Sequence, residues 1–245
     1  MSNIAIIPAR SGSKGLKDKN IKELNGKPLL AYSIEVAKKS GLFDEIMVST
    51  DSPEYAKIAK SFEANVPFLR SETNSSDKAS SWDVVLEVLN KYFEIGQKFD
   101  FVCLLQPTSP IRTANDIADA YKLLEEKQAD AVTSVCEVDH SPLWTMTLPE
   151  NLSLEEFKKR DSDTPRQLLE KYYRLNGAIY IRKIHYNSKG IQLIDANEFA
   201  FIMPREHSID IDTELDFIIA EAVIKATLVE NEHLKKILRE HNIDI

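Results

Sequence analysis

The sequence contains 245 residues, 43% of them hydrophobic and 29% charged, and its formal net charge is -8 at pH 7. A chain of this length forms about one globular domain and buries enough surface to fold without disulfides or a structural metal. The acidic balance excludes broad binding to nucleic acid, and no apolar stretch approaches the roughly 20 residues of a membrane span. The 2 cysteines, Cys103 and Cys136, lie in apolar runs, which predicts reduced thiols and a cytoplasmic protein.

Apolar stretches of strand length alternate with amphipathic stretches of helical length along most of the chain. This alternation predicts an α/β fold in which helices cover both faces of a mostly parallel sheet. Strands are expected at residues 4–9, 45–50, 66–69, 99–105, 131–138, 178–181 and 199–203. Helices are expected at residues 28–39, 52–63, 80–93, 115–126 and 213–228, with a charged helical extension after the last one. That last helix is expected to turn toward the core the side chains of Leu215, Ile218, Ile219, Ala222 and Val223.

Residues 140–174 interrupt this alternation. The segment is rich in charge, punctuated by proline and too long for an ordinary connection between two elements. An excursion of this kind from a compact domain is typical of a lid, a binding loop or an arm that holds a second subunit. The sequence therefore predicts a single domain over residues 1–245, with a protruding segment at about 140–174.

The loop after the first strand concentrates glycine and cationic side chains. Only 7 glycines occur in the chain, yet Gly12 and Gly15 both lie here, with Arg10 and Lys14 beside them. Loops at this end of a first strand bind ligands in open α/β sheets, and glycine exposes backbone amides to phosphate oxygens. The pattern predicts a phosphate cradle, with a solvated basic turn as the alternative. Neither Walker A nor GxGxxG spacing is present, so the loop indicates neither a P-loop NTPase nor a dinucleotide-binding enzyme.

Five strings follow one another in the order found in a known enzyme family. They are IIPARSGSKGLKDKN from Ile6, VSTDS from Val48, LQPTSPIR from Leu105, LNGAIYI from Leu175 and SIDIDTELDF from Ser208. Together they extend over about residues 3–225 and resemble the CMP-sialic acid synthetases (acylneuraminate cytidylyltransferases), which include enzymes for legionaminic and pseudaminic acids. The resemblance implies a nucleotide-diphospho-sugar transferase-like fold with a dimerisation arm, and hence a homodimer. It also implies transfer of CMP from CTP to a nonulosonic acid, with release of pyrophosphate.

The resemblance assigns the CTP phosphates to the first loop. Arg10 and Lys14 would neutralise phosphate charge as catalytic cations, and Gly12 and Ser13 belong to the same nucleotide-binding cradle. Asn20, whose amide both donates and accepts hydrogen bonds, matches the nucleotide-contacting asparagine of the family.

Two later positions match residues near the cytidine of CTP. Arg70 ends the string PFLR, and Ser80 lies in DKASSWD. Without the resemblance, Arg70 is typical of a surface arginine and Ser80 of a helix N-cap, so both interpretations stay open.

The string SIDIDTELDF predicts a Mg²⁺ site. Asp210 and Asp212 project to the same side of an extended segment, and two converging carboxylates beside phosphates favour a hard cation. Asp212 would then have a catalytic role by holding the metal. The alternative makes Asp212 the N-cap of the last helix, with Glu214 and Asp216 as acids of its first turn. Asp51, after the string VST, either caps the following helix or joins the metal shell.

The sugar is assigned to three positions by the same resemblance. Gln106 ends the central apolar strand, where its amide can hydrogen-bond a sugar hydroxyl or acetamido group, although a polar strand end is the alternative. A nonulosonic acid carries a carboxylate, and Arg166 and Arg174, in or next to the arm, have the planar donor geometry that suits it. A solvated charged arm remains the competing account of both arginines.

Two departures from the sialic acid enzymes concern the sugar pocket. Trp144 follows HSPL where those enzymes often have Lys, and Leu193 and Ile194 stand where an aromatic pair is expected. These changes favour a related bacterial nonulosonate such as legionaminic acid over N-acetylneuraminic acid. A CMP-KDO synthetase on the same fold and a non-catalytic nucleotide-binding subunit are the alternative functions.

Overall fold

The structure is a computed structural model that describes residues 1–13, 15–76, 78–155, 166–188 and 190–240. Side chains are described throughout these ranges except for Arg166 and residues 228–240. No helix in this described part is both long and apolar enough to cross a membrane.

Strands and helices alternate through the first half of the chain, as the sequence predicts. The strands are β1 (Asn3–Pro8), β2 (Glu23–Leu24), β3 (Lys27–Pro28), β4 (Glu45–Ser49), β5 (Phe101–Leu104), β6 (Ala131–Glu137), β7 (Tyr173–Asn187), β8 (Gly190–Ile194) and β9 (Glu198–Ile202). The α-helices are α1 (Leu29–Ser40), α2 (Pro53–Ser61), α3 (Glu72–Ser75), α4 (Ser81–Glu94), α5 (Ala114–Glu126) and α6 (Glu214–Glu240).

The main sheet has the strand order β4-β1-β5-β7-β6-β9, and β8 pairs with β7 outside this path. Strands β1, β4 and β5 pair in parallel, as do β6 and β9. Strand β7 pairs antiparallel with β5, β6 and β8. Strand β7 therefore runs against the other strands of the sheet, and the prediction of a mostly parallel sheet is confirmed.

Helices cover both faces of the sheet because residues along each central strand alternate between two hydrophobic layers. In β1, Ala5 and Ile7 pack with residues of α1, α2 and α5, whereas Ile4 and Ile6 pack with residues of α4. All four of these side chains are completely buried. The two layers fix the sheet rigidly and leave the loops at the carboxyl ends of β1 and β5 at one edge.

The predicted strand at 66–69 is wrong, and the one at 178–181 is confirmed but too short. Residues 66–69 form no strand, because Pro67 has no N–H for a ladder, and only an isolated bridge from Met47 to Asn65 forms nearby. The strand predicted at 178–181 is a much longer antiparallel strand, Tyr173–Asn187, and Gly190–Ile194 forms an additional strand. The extra length of Tyr173–Asn187 and the additional strand Gly190–Ile194 both follow from long-range pairing, which the local sequence pattern does not contain.

The predicted inward face of the last helix is also wrong. Leu215, Ile218 and Ile219 are exposed, whereas Phe217 and Ala220 are buried. Phe217 and Ala220 belong to a separate hydrophobic cluster with Leu24, Leu29 and Ile211. Apolar residues occur on more than one side of this helix, so its sequence does not identify the face that meets the domain.

Candidate active site

A cleft with a volume of about 490 Å³ opens beyond the carboxyl ends of β1 and β5, where open α/β sheets bind ligands. Its lining includes the sequence-predicted residues Arg10, Ser13, Asn20, Arg70, Ser80, Gln106, Asp210 and Asp212. Gly15, Lys19, Asn74, Ser76 and Thr108 line it as well. Gly12 and Arg174 are described but do not line the cleft, while Lys14 and the side chain of Arg166 lie outside the described residues.

The loop after β1 is anchored to the end of β4 by Asp51. One carboxylate oxygen of Asp51 accepts a hydrogen bond from the backbone N–H of Ser11 and the other accepts one from its hydroxyl, both at 2.8 Å. Burial alone would raise the pKa of Asp51, but these hydrogen bonds outweigh it and hold the pKa below its usual value. Ser52, not Asp51, caps α2. Asp51 therefore acts as a loop anchor, with both oxygens already engaged.

Two further contacts close this loop. The amide of buried Asn20 donates a hydrogen bond of 2.9 Å to the carbonyl of Arg10, which joins the two ends of the loop. The hydroxyl of Tyr55 donates one of 3.0 Å to Asp18. Gly12 has a φ of +71°, a conformation that favours glycine. These contacts fix the two ends of the loop, at Arg10 and Ser11 and at Asp18 and Asn20.

Two arginines bring positive charge to the cleft. Arg70 is buried, and its guanidinium donates 3.0 Å from Nε to the hydroxyl of Ser49 and 2.5 Å from Nη2 to its carbonyl. Burial, with a smaller contribution from the charge of Arg10, lowers the pKa of Arg70 to about 10 against the opposing charges of Asp51 and Glu87, so Arg70 is still cationic at neutral pH. Arg10 donates to the carbonyl of Ser75 at 3.3 Å. The interpretation of Arg70 as a surface arginine is wrong, and the pair suits an anionic ligand.

Ser80 does act as the N-cap of α4, as the alternative interpretation predicted. Its hydroxyl accepts from the N–H of Asp83, and the Asp83 carboxylate accepts from the backbone N–H of Ser80 at 3.1 Å, which completes a capping box. Ser80 also lines the cleft. The two roles coexist, because the cap fixes the position of a residue that faces the cleft.

The short helix α3 is held against α4 by Glu87. The carboxylate of Glu87 accepts from the N–H and hydroxyl of Ser71, from the amide of Asn74 and from the ammonium of Lys91. Burial opposes ionisation, but the hydrogen bonds from Lys91, Asn74 and Ser71 lower the pKa of Glu87 to about 2. This network fixes Asn74, which lines the cleft opposite the first loop.

Asp210 and Asp212 both line the cleft, with buried Ile211 between them. Burial and the neighbouring charge of Asp212 raise the pKa of Asp210, while a hydrogen bond from Thr108 lowers it. Oδ1 of Asp210 is buried without a hydrogen-bond partner. Lys19 donates to the carbonyl of Ile211 at 2.6 Å and to Asp212 at 3.1 Å.

The donor set at these two acids fits a hard cation. The buried, unpartnered oxygen of Asp210 is costly unless a positive charge approaches it. The described residues contain no group of three or more His, Cys, Asp or Glu side chains placed to hold a metal ion. A Mg²⁺ ion here would therefore need phosphate oxygens and water to complete its shell, as it usually does. Thr213, which exchanges hydrogen bonds with Asp216, caps α6, so Asp212 is not the N-cap.

Gln106 lies against β7 at Gly177. A Cβ atom on Gly177 would lie 2.8 Å from Oε1 of Gln106, and Gly177 has a φ of +75°. The ladder between β6 and β7 is irregular at this point, where buried Asn176 hydrogen-bonds Ser134 and Ser208. Glycine at this bulge therefore makes room for the Gln106 side chain.

Arg174 lies beside the cleft rather than in its lining. Its guanidinium donates to the carbonyl of Ser208 at 3.2 Å and to that of Leu175 at 3.3 Å. The pKa of Asp210 is raised, above all by burial, and the positive charge of Arg174 partly opposes this rise. Arg174 is therefore near enough to act on the charge of the cleft, and its role toward a sugar carboxylate stays a prediction.

Sequence reasoning missed several residues that shape the cleft. The sequence patterns single out neither Lys19 nor Ser11 nor Arg112, which ends the string LQPTSPIR. Arg112 is buried to 3% exposure, an unusual state for arginine. Its place directly after the apolar strand and turn is the one signal that the sequence carries for this burial.

Comparisons with known proteins show the family to which the chain belongs. The profile of the Cytidylyltransferase family matches residues 4–241. The N-acylneuraminate cytidylyltransferase of Escherichia coli O18:K1:H7 is 36% identical over 241 residues, which are 98% of this chain and 55% of that protein. The pseudaminic acid cytidylyltransferase of Campylobacter jejuni serotype O:23/36 is 34% identical over 225 residues, 92% of this chain and 97% of that protein. The CMP-N,N'-diacetyllegionaminic acid synthase of Legionella pneumophila is 34% identical over 238 residues, with the same two coverages.

A solved structure of CMP:2-keto-3-deoxy-manno-octonic acid synthetase complexed with CTP has a TM-score of 0.65 and 16% identity, and covers 93% of this chain and 100% of that one. At this identity the likeness establishes a shared fold alone, and that fold agrees with the predicted α/β architecture. The chain spans about half the length of the Escherichia coli relative but nearly all of the Campylobacter and Legionella relatives. With its profile match and these relatives, the chain belongs to the cytidylyltransferase family.

Proposed function

We propose that the chain transfers CMP from CTP to the anomeric hydroxyl of a nonulosonic acid and releases pyrophosphate. The observation that carries the proposal is the meeting of Arg10 and Arg70 with Asp210 and Asp212 in one cleft at the end of the sheet. The two cations suit a triphosphate, and the two carboxylates suit a divalent ion bound to it. The buried, unpaired Cys103 and Cys136 fit a reducing compartment, and we place the reaction in the cytoplasm.

Nucleotidyl transfer requires that phosphate charge be neutralised and that the acceptor oxygen face the α-phosphorus in line with the departing pyrophosphate. The anchored loop after β1 presents its backbone and Arg10 to the phosphates without further reorganisation. Arg70 and Asn74 border the part of the cleft that we assign to the nucleoside. Mg²⁺, when bound at Asp210 and Asp212, would supply further positive charge to the phosphates.

The acceptor needs little activation from the protein. An anomeric hydroxyl belongs to a hemiketal and is more acidic than an ordinary alcohol, and the cationic cleft lowers its pKa further. Direct attack on the α-phosphorus needs no covalent intermediate with the enzyme. Gln106 is the proposed hydrogen-bond partner of the sugar, and Arg174 and Arg166 are the proposed partners of its carboxylate.

We propose a legionaminic-type substrate over N-acetylneuraminic acid. The three relatives differ little in identity and their names specify three different nonulosonates, so identity does not select among them. Leu193 packs against the layer of core residues around α4 and is not in the lining of the cleft, so the proposal rests on the departures in sequence at Trp144, Leu193 and Ile194. Competition between the two sugars tests the proposal, and a clear preference for N-acetylneuraminic acid would refute it.

We further propose that the protein is a homodimer joined through the segment at 140–174. Exposed large apolar side chains cluster in and beside this segment: Leu143, Leu148, Leu152, Leu154, Leu168, Tyr173 and Leu175. Apolar groups at such density are typical of a subunit interface. Light scattering should give twice 27.8 kDa for the wild type and 27.8 kDa for a Leu148→Glu, Leu152→Glu variant. Ile95 is also exposed but lies outside the segment, so an Ile95→Glu variant is the control and should stay dimeric.

The experiment that tests the activity is pyrophosphate release with a panel of nucleotides and sugar acids. CTP with a nine-carbon nonulosonic acid should give release, and UTP or ATP should not. Release with KDO alone would favour a CMP-KDO synthetase. Tight CTP binding without release on any acid would show a non-catalytic nucleotide-binding subunit.

A further inference from the structure

Buried Arg112 joins the cleft floor to the antiparallel strand beside it. Nη1 of Arg112 donates to the carbonyl of Gln106 and to that of Ala178, each at 2.9 Å. Nη2 donates to the hydroxyl of Ser33, on α1. The guanidinium thus connects three elements that do not meet through regular backbone pairing at this point.

The position of these carbonyls explains why a long side chain is needed. The ladder between β5 and β7 ends at the pair Leu104 and Tyr180. Continued in the same antiparallel register, the next pair of that kind would be Gln106 and Ala178. The backbone of the two strands no longer pairs there, because the chain turns into the cleft after Leu105 and β7 bulges at Gly177. Arg112 supplies the hydrogen bonds that the ladder lacks.

The positive charge of Arg112 strengthens these hydrogen bonds and is not used in an ion pair with a described residue. Among the described residues no carboxylate lies within ion-pair distance of its guanidinium, whose donors reach two backbone carbonyls and a hydroxyl. Burial lowers the pKa of Arg112 to about 10, so the group is still cationic at neutral pH. Burying a cation is costly, and here the hydrogen bonds from the guanidinium to two backbone carbonyls and a hydroxyl offset part of that cost. The same hydrogen bonds fix the backbone at Gln106 and Ala178.

The side chain of Gln106 is confined from both sides as a result. Its carbonyl is held by Arg112, and its Oε1 lies against Gly177, which directly precedes the second carbonyl that Arg112 holds. We propose that Arg112 is a positioning residue for the sugar, acting through Gln106 by fixing the distance between Gln106 and Gly177. This inference rests on the proposed function, in which Gln106 binds the nonulosonic acid.

The test is a double-mutant cycle with Arg112→Lys and Gln106→Ala, read as KM for the sugar, KM for CTP and kcat. Lys keeps the charge but lacks the planar fork that reaches three acceptors. Arg112→Lys should raise the sugar KM about tenfold and change the CTP KM less than twofold. In Gln106→Ala it should cause no further rise, because the group through which it acts is absent. Arg182→Lys is the control and should change neither KM, because Arg182, on β7, contacts Trp82 and Asp195 instead of Gln106.

The possible outcomes separate the inference from the function on which it rests. If the wild type releases no pyrophosphate with any nonulosonic acid, the proposed function fails. If Gln106→Ala leaves the sugar KM unchanged, the sugar assignment of Gln106 fails. If Gln106→Ala raises the sugar KM, and Arg112→Lys raises it by a further tenfold or so in the double variant, the positioning role of Arg112 is overturned. If Arg112→Lys does not fold, Ser33→Ala is the second variant, because it removes the hydrogen-bond partner of Nη2. Ser33→Ala should also raise the sugar KM, by a smaller factor than Arg112→Lys.

Discussion

Asp51 holds Ser11 by two hydrogen bonds of 2.8 Å, one from the backbone N–H and one from the hydroxyl. The loop that follows β1 therefore starts from a fixed point at the end of β4. We expect this relationship to preorganise the start of the loop, at Ser11, for the phosphate-binding role proposed above.

Replacing Asp51 with Asn should lower kcat/KM for CTP and leave the KM for the sugar unchanged. The change removes a charged acceptor of two hydrogen bonds, each worth about 1.5–3 kcal/mol, so kcat/KM for CTP should fall roughly 10- to 100-fold. Steady-state kinetics with each substrate varied in turn checks this. Asp44→Asn is the matched control, because Asp44 also accepts a backbone N–H at 2.8 Å, from Asn3, but does not line the cleft. Equal losses in both variants would contradict the anchoring role.

Replacing Gly177 with Ala should damage sugar binding. The new Cβ would lie 2.8 Å from Oε1 of Gln106 and displace its amide, so the sugar KM should rise at least about tenfold. Gly26→Ala controls for backbone strain, because Gly26 has a similar φ of +73° but no atom within 4 Å of the added carbon. If both variants show the same kinetics, strain and not the contact with Gln106 is responsible.

Replacing Asp212 with Asn should nearly abolish turnover while leaving the fold intact. Its side chain is 76% exposed, so the melting temperature should change little, whereas loss of its charge removes a proposed metal ligand. Chelation of Mg²⁺ should abolish wild-type turnover in the same assay. Glu214→Gln, which breaks an exposed ion pair with Lys22 outside the cleft, should keep its activity. Pyrophosphate release by Asp212→Asn at the wild-type rate would refute the metal assignment.

Stability in acid should depend on Glu87. Its pKa of about 2 lies below the ordinary value of 4.5, so its contribution is fully present above pH 4.5 and is lost as the pH falls toward 2. The loss should be on the order of 1–2 kcal/mol for this largely buried group. Urea unfolding between pH 6 and pH 3 should show a smaller decrease in Glu87→Gln than in the wild type. Parallel pH dependences in the two proteins would contradict this contribution.

The sequence was informative where short segments determine their own structure. The helices from Leu29, Pro53, Ser81 and Ala114 begin within one residue of their expected positions, because caps and apolar periodicity are local signals. The phosphate loop was predictable for the same reason, since its glycines and cations are adjacent in the chain. The match to known family strings located Asp210 and Gln106 in one site although they are far apart in sequence.

Long-range pairing accounts for what the sequence did not show. Nothing near Tyr173–Asn187 indicates that it pairs antiparallel between β5 and β6, because the register is set by residues far along the chain. The buried state of Arg112 follows from that pairing, as does the contact between Gly177 and Gln106. The exposed face of α6 was mispredicted because both of its sides carry apolar residues.

Phosphorus-31 NMR of the purified chain with CTP, Mg²⁺ and a nonulosonic acid tests the central claim most directly. The account predicts that the triphosphate signals of CTP disappear and are replaced by pyrophosphate and by one phosphodiester, the CMP-sugar, in equal amounts. CTP that is bound but unchanged in the presence of every nonulosonic acid, or hydrolysis to CMP without a phosphodiester, would contradict it.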